Sequence, residues 1–280
     1  MKVRLKFQKY GAMKFIGHLD IMRYFQKAFR RAGYDSEYTK GFNPHQIMSF
    51  AAPLGVGLTS DAEYVDIGLN SSEEPEIMIK RINQVMSEGI YVTGFHVLSE
   101  PNENEKKITA MSLVASADYL VSLKDGYSLG DIRDGNITID KFNDAIEGFF
   151  SRDDITVQKK TKKSEMDVNI RPMITILSND EMKYKEDLRN ILLDVSMSDY
   201  KPSYFLETDS KAQVYENKVK LYMQLDTGSA SNLKPELVME AFCNENGILY
   251  NPFAWQVHRL EIYSRDDTSK RLISLDRLER

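Results

Sequence analysis

Residues 15–66 read FIGHLDIMRYFQKAFRRAGYDSEYTKGFNPHQIMSFAAPLGVGLTSDAEYVD. The first half is periodic: Leu19, Met22, Phe25, Ala28, Phe29 and Ala32 recur at helical spacing. Gly33 supplies the stop. Ile47 to Ala52 and Glu63 to Leu69 then read as a strand pair around the PLGVGLTS turn. Upstream, Val3, Leu5 and Phe7 alternate with charged residues, as in a half-buried strand. Downstream, Glu73 to Met86 reads as a second amphipathic helix through Ile77, Ile79, Ile82 and Val85, with Gly89 just beyond it, and Tyr91 to Leu98 reads as a strand. Strand, helix, strand, strand, helix, strand is the order of a ferredoxin-like split βαβ sandwich, with both helices on one face of an antiparallel sheet.

The polar, proline-containing run SEPNENEKKI marks a break. The expectation is an α+β protein of two domains. Residues 1–99 form the ferredoxin-like domain, 100–108 a linker, 109–265 a second, elaborated α+β domain of similar plan with an irregular insertion at 200–217, and 266–280 a charged tail with helical potential. In the second domain Ala117–Leu123, Arg189–Ser196, Val219–Leu225 and Trp255–Tyr263 read as strands. Asp140–Phe150 and Pro235–Cys243 read as helices, and Ile155–Lys160 with Val168–Leu177 as a hairpin around KKTKKSE.

Composition narrows the function classes. With 280 residues and 42% hydrophobic content, folding buries roughly three quarters of the chain's extended surface. The single cysteine, Cys243, excludes an internal disulfide and any multi-cysteine metal or iron–sulfur site within the chain. The charged, alternating N-terminus does not read as a signal peptide, and no apolar run approaches a membrane span, so the expected setting is cytoplasmic with no membrane partner. The net charge of −5 is unevenly spread: ten cations against three carboxylates give residues 1–45 a charge of +7, leaving −12 for the rest. A basic lobe on an acidic body is the footprint of a polyanion-binding face, or else a solvated helix surface.

Arg23, Lys27, Arg30 and Arg31 follow one helix face at i, i+4, i+7 and i+8. Their mutual repulsion calls for an anion opposite, met either by a nucleic-acid backbone or by acids such as Asp20 and Glu63. Lys40 and Asn43 lie in the adjoining Gly-Phe-Asn-Pro-His loop. His18 opens the helix and His45 closes that loop, which makes them candidates for an acid–base pair in RNA cleavage or for hydrogen bonds to their own loop. With Asp20 they form an incomplete ligand set, and no metal is expected. In the strand–loop–helix segment LDTGSASNLKPE, residues 225–236, Thr227, Ser229, Asn232 and Lys234 are candidates to hold a phosphate at a helix N-terminus, with Asn232 equally a helix cap. Lys159, Lys160, Lys162, Lys163 and Arg171 make a second basic hairpin, read as a solvated turn.

Three long runs carry a family resemblance: residues 18–67 (HLDIMRYFQKAFRRAGYDSEYTKGFNPHQIMSFAAPLGVGLTSDAEYVDI), 157–172 (VQKKTKKSEMDVNIRP) and 225–241 (LDTGSASNLKPELVMEA). Together they resemble the radical-SAM-linked family defined by the domain of unknown function DUF2344, across essentially the whole chain. The resemblance implies a free-standing member that partners a radical SAM enzyme in RNA or ribosome biology, with RNA or ribosomal components as further partners. It also implies that the iron–sulfur cluster and SAM are held by that enzyme, with no cofactor in this chain. It brings no catalytic residues. Gly17 departs from the family pattern, which has a serine before His-Leu-Asp, so a capping hydroxyl is missing. The resulting expectation is a non-catalytic RNA- or substrate-recognition protein. The alternatives are a metal-independent endoribonuclease using His18 and His45, or a structural protein–protein adaptor.

Overall fold

The computed structural model describes residues 1–99, 108–131, 135–136, 138–160, 165–193, 204–229 and 231–278. In chain order its elements are β1 (Lys2–Lys9), α1 (His18–Arg31), β2 (Met48–Phe50), β3 (Thr59–Gly68), α2 (Pro75–Val85), β4 (Ile90–Leu98) and α3 (Ala110–Leu113). There follow β5 (Ser116–Leu123), β6 (Gly130–Asp131), β7 (Gly135–Asn136), α4 (Ile139–Phe150), β8 (Thr156–Lys160), β9 (Glu165–Asn169), β10 (Ile174–Ser178) and α5 (Glu181–Ile191). The last are β11 (Tyr204–Phe205), β12 (Lys220–Asp226), α6 (Pro235–Glu245), β13 (Trp255–Arg265) and β14 (Leu272–Ser274). The protein is α+β.

Two compact units emerge. The first comprises Met1–Ala115, Leu192–Ala212 and Arg259–Arg280, and the second Ser116–Ile191 and Gln213–His258. The division thus differs from the linear one expected: 192–212 and 259–280 return to the N-terminal unit. The expected linker lies outside the described residues except for Ile108.

In the first unit the strands run β4–β1–β3–β2, each pair antiparallel. β11 pairs with β4, and β14 with the Tyr263–Arg265 end of β13. Val3, Leu5 and Phe7 face a core built with Phe25, Ala28 and Phe29 of α1 and Met78, Ile79 and Ile82 of α2. Aromatic edges set its packing: Phe25 lies 4.7 Å from Phe7 and 5.7 Å from Phe50, centroid to centroid. At 3.6 residues per turn Leu19 falls with Arg23, Lys27 and Arg30 rather than with Phe25, so it is exposed and Ile21 takes the core position instead. Gly33, at φ +68°, ends α1 where any side chain would collide with Arg81.

In the second unit the order is β10–β12–β5–β13. Its core joins Phe142 and Phe149 of α4 to Phe242 of α6, with Phe142 stacked on Trp255. Two expected strands differ. Arg189–Ile191 is the end of α5, whose N-terminus is capped by the Asp180 carboxylate accepting from the Met182 and Lys183 amides; residues 194–196 lie outside the described residues. Val168–Leu177 is divided by a 3-10 turn at Arg171–Met173, because Pro172 donates no ladder hydrogen bond. Residues 161–164 of the basic turn lie outside the described residues. The expected helical tail is β14 followed by a 3-10 turn whose Leu275 is buried in the first unit.

Candidate functional site

The basic stripe of α1 is exposed along its length. Arg23 pairs with Asp20 at 3.1 Å, one turn apart and open to solvent, a contact worth little in water. Arg31 donates to the Val85 carbonyl at 2.9 Å. The Lys27 ammonium and the Arg30 guanidinium have no hydrogen bond or ion pair among the described residues. Glu63 is not their counterion, since it is buried against Arg259, which donates to it at 2.8 Å. The stripe therefore keeps most of its charge available to an external anion.

The loop after α1 is a closed hairpin tip. The Thr39 amide donates to the His45 carbonyl at 2.9 Å, and the His45 amide donates to Thr39 Oγ1 at 3.1 Å. His45 Nδ1 also lies 3.1 Å from that hydroxyl. These contacts hold Lys40, Phe42 and Asn43 out on the tip, where Phe42 is fully exposed and Tyr38 at its base nearly half so. His18 is half-buried with its ring edge-on to Phe50 at 5.1 Å, and burial lowers its pKa. Gly17 caps α1 with no side-chain hydrogen bond. His45 is thus engaged in holding its loop, and His18 is packed on the core.

The segment 225–236 belongs to the second unit. Thr227 is buried and donates to the Leu225 carbonyl at 3.5 Å. Ser229, Asn232 and Lys234 are exposed, and Lys234 itself is the residue preceding α6, with Pro235 in the first turn. Asn232 is therefore not the cap. Arg171, counted with the second basic hairpin, is taken up locally: its Nε donates to the carbonyls of Phe150 and Arg152 at 3.0 Å, and its guanidinium covers the Phe150 ring at 4.2 Å.

Sequence alternation missed that the polar positions of β1 are covered. Arg4, Gln8 and Lys9 are buried, not solvated. Arg4 holds Asp66; Lys6 lies between Glu261 at 2.7 Å and Asp276 at 2.8 Å; and the Tyr64 hydroxyl donates to Glu261 at 2.6 Å. Burial alone would lower the Lys6 ammonium, but the two carboxylates outweigh it and raise its pKa. Lys9 donates to the Ile16 carbonyl at 3.1 Å, and its pKa is lowered chiefly by burial. Every charge in this layer has a partner, so it reads as a structural polar layer. Among the described residues no group of three or more His, Cys, Asp or Glu is arranged to hold a metal, and no helix is long and apolar enough to cross a membrane.

A family described as "Uncharacterized protein conserved in bacteria (DUF2344)" matches residues 2–235. The chain belongs to the DUF2344 family. The DUF2344 match takes in α1, the 39–45 loop and the segment through Lys234, so every candidate residue above lies within it. No curated protein matches the chain. Among solved structures this DUF2344 chain is similar to a crystal structure of a Cbf5-Nop10-Gar1 complex, with a TM-score of 0.42 and 8% identity. That similarity covers 93% of this chain and 48% of the other, so the chain spans about half the length of the structure it matches.

Proposed function

We propose that this DUF2344 protein is a non-catalytic recognition partner of a radical SAM enzyme and presents α1 and its following loop to RNA. The observation that carries the reading is the joining of available cations (Arg23, Lys27, Arg30, Lys40) to a fully exposed aromatic, Phe42, on a loop held by its own hydrogen bonds. Cations meet phosphates, and an exposed ring offers a stacking platform for an unpaired base. A pre-closed loop lowers the ordering cost of binding. The endoribonuclease alternative would need both imidazoles presented to substrate. The engagement of His45 with Thr39 and the packing of His18 on Phe50 weigh against it.

In this reading the iron–sulfur cluster and SAM belong to the partner enzyme, and the setting is cytoplasmic. We read β4–β1–β3–β2 with α1 and α2 as a ferredoxin-like split βαβ domain. Because β10–β12–β5–β13 repeats that strand order with added elements, we read the second unit as an elaborated version of the same plan. The test is binding to total RNA at several salt concentrations. Arg23→Glu with Arg30→Glu abolishes binding if the reading holds, and a folded double variant that binds as well as the parent refutes it. Association with the radical SAM enzyme is checked by pull-down after nuclease treatment, where loss of the complex counts against direct contact.

A further inference from the structure

On the sheet face opposite the helices of the first unit, the segment Glu207–Lys211 crosses the ends of β1 and β4 and leaves a cleft of about 760 Å³. That volume lies within the range of small-molecule sites. The segment is held at both ends. The Leu206 amide donates to the Thr93 carbonyl at 2.8 Å, and Asp61 accepts from the Lys211 amide at 2.7 Å and from the Ser210 hydroxyl. Gln8 and Tyr91 are directly opposed across β1 and β4, and both line the cleft. Gln8 is buried, and its Nε2 donates to Asp61 at 3.2 Å and to the Asp209 carbonyl at 3.1 Å. Both partners can only accept, which fixes the amide and leaves Oε1 with no hydrogen-bond partner among the described residues.

The remaining lining sets two carboxylates and an ammonium around a tyrosine ring. Glu207 and Asp209 are exposed, and their carboxylates have no hydrogen bond or ion pair among the described residues. The Tyr91 hydroxyl likewise makes none, and its half-buried ring is free of any aromatic or cationic partner among the described residues. Lys211 Nζ sits 5.4 Å from the Tyr10 ring centroid and supplies the ammonium of the lining. A planar ring against Tyr91, adjacent N–H donors for a carboxylate and one carbonyl for Lys211 would satisfy this set. Guanine carries that edge: N1–H and N2–H₂ side by side, with O6 next to them. Adenine and cytosine place a ring acceptor beside their amine, and uracil offers a single ring N–H there.

We propose that this cleft binds an unpaired guanine base of an RNA strand. The proposal rests on the RNA-recognition reading for its context, but a mononucleotide can test it without the charges of α1. Isothermal titration of the intact protein with GMP, AMP, CMP and UMP is expected to show GMP binding at least about tenfold tighter than the others. Tyr91→Leu, and separately Glu207→Gln with Asp209→Asn, each weaken GMP binding about tenfold or more at unchanged melting temperature. Arg23→Glu with Arg30→Glu leaves GMP affinity as it was, so failure of the helix reading and failure of the cleft are separable. The proposal is overturned if GMP gives no binding, if the four nucleotides bind alike, if inorganic phosphate displaces GMP completely, if arginine binds in its place, or if GMP binding survives Tyr91→Leu in full.

Discussion

Arg4 and Asp66 face one another directly across β1 and β3, and the guanidinium holds the carboxylate through Nε at 2.8 Å and Nη2 at 3.2 Å. Their side chains are 1% and 2% exposed. Asp66 also accepts from the Ala110 amide at 2.7 Å, and Arg4 Nη1 donates to the Leu275 carbonyl at 3.1 Å. One ion pair therefore ties two central strands to α3 and to the C-terminal segment. Removing either partner strands a buried charge, at a cost of about 3–5 kcal/mol. Arg4→Met and Asp66→Leu are each expected to lower the urea unfolding free energy by that amount, while the double variant loses distinctly less than the sum. Additive losses in the cycle would show that the two side chains act independently.

On β4, opposite Arg4 in the ladder, His96 makes stability pH-dependent. Burial, with the nearby Arg4 charge, lowers its pKa from 6.5 to about 4. The folded state thus resists a proton that the unfolded chain accepts, so stability is complete above pH 6.5 and falls as pH drops toward 4. The full loss is about 3 kcal/mol at most. Glu63 and Glu261, raised by burial, act with the opposite sign above the usual carboxylate range, so the comparison must be made between variants. His96→Gln is expected to flatten the slope of unfolding free energy between pH 4 and 6.5 relative to the parent. Parallel pH profiles for the two proteins would remove His96 as the cause.

The basic stripe makes a prediction about salt. If Arg23, Lys27, Arg30 and Lys40 each neutralise a phosphate, the logarithm of RNA affinity falls linearly with the logarithm of salt, and each cation removed shallows the slope by about 0.7–0.9. Phe42→Ala should leave that slope and the melting temperature unchanged, because the ring touches no core. It should still weaken single-stranded RNA binding by about 1–3 kcal/mol through lost stacking. A Phe42→Ala protein with parental affinity would restrict recognition to charge alone.

Much of this is legible in residues 15–98. Helical spacing locates α1 and α2, and the strand pair around PLGVGLTS sets the β2–β3 pairing. The errors have specific causes. Period-2 alternation in β1 marks Arg4, Lys6 and Gln8 as one face, but it is blind to whether distant chain covers that face; here residues 261–276 and 204–211 do. Leu19 is misplaced by periodicity because an apolar residue at the start of a helix fits the core pattern within one turn, and only the exposed basic stripe reveals its true side. The residues of the cleft are split between two strands far apart in sequence, β1 and β4, and an insertion whose composition reads as irregular. The one local hint is Gly94, a glycine inside a strand rich in β-branched and aromatic residues, the usual sign that something approaches closely. The segment 225–236 shows the opposite limit: its Gly/Ser composition suggests a phosphate loop, but Thr227 is bonded to its own strand.

Gly94 offers the most direct test of how the crossing segment is seated. A Cβ at this position would run into the Phe205 ring and come within 3.2 Å of Lys6 Cβ. Phe205 belongs to β11, which pairs with β4 at this residue, and the next amide, Leu206, is bonded to Thr93. Gly94→Ala should therefore displace β11 while leaving the β1–β3 ladder in place. Hydrogen exchange is expected to speed up at the Leu206 and Lys211 amides and to remain slow at Val3, Leu5 and Val65. Overpacking of this kind costs about 1–3 kcal/mol. Gly148, in α4 with nothing within 4 Å of where a Cβ would sit, serves as the control. There the same change should stabilise by about 0.5–1 kcal/mol through helix propensity alone. If Gly94→Ala leaves Leu206 protected, the Phe205 ring can yield without releasing the segment, and the cleft it bounds is softer than the packing around Gly94 implies.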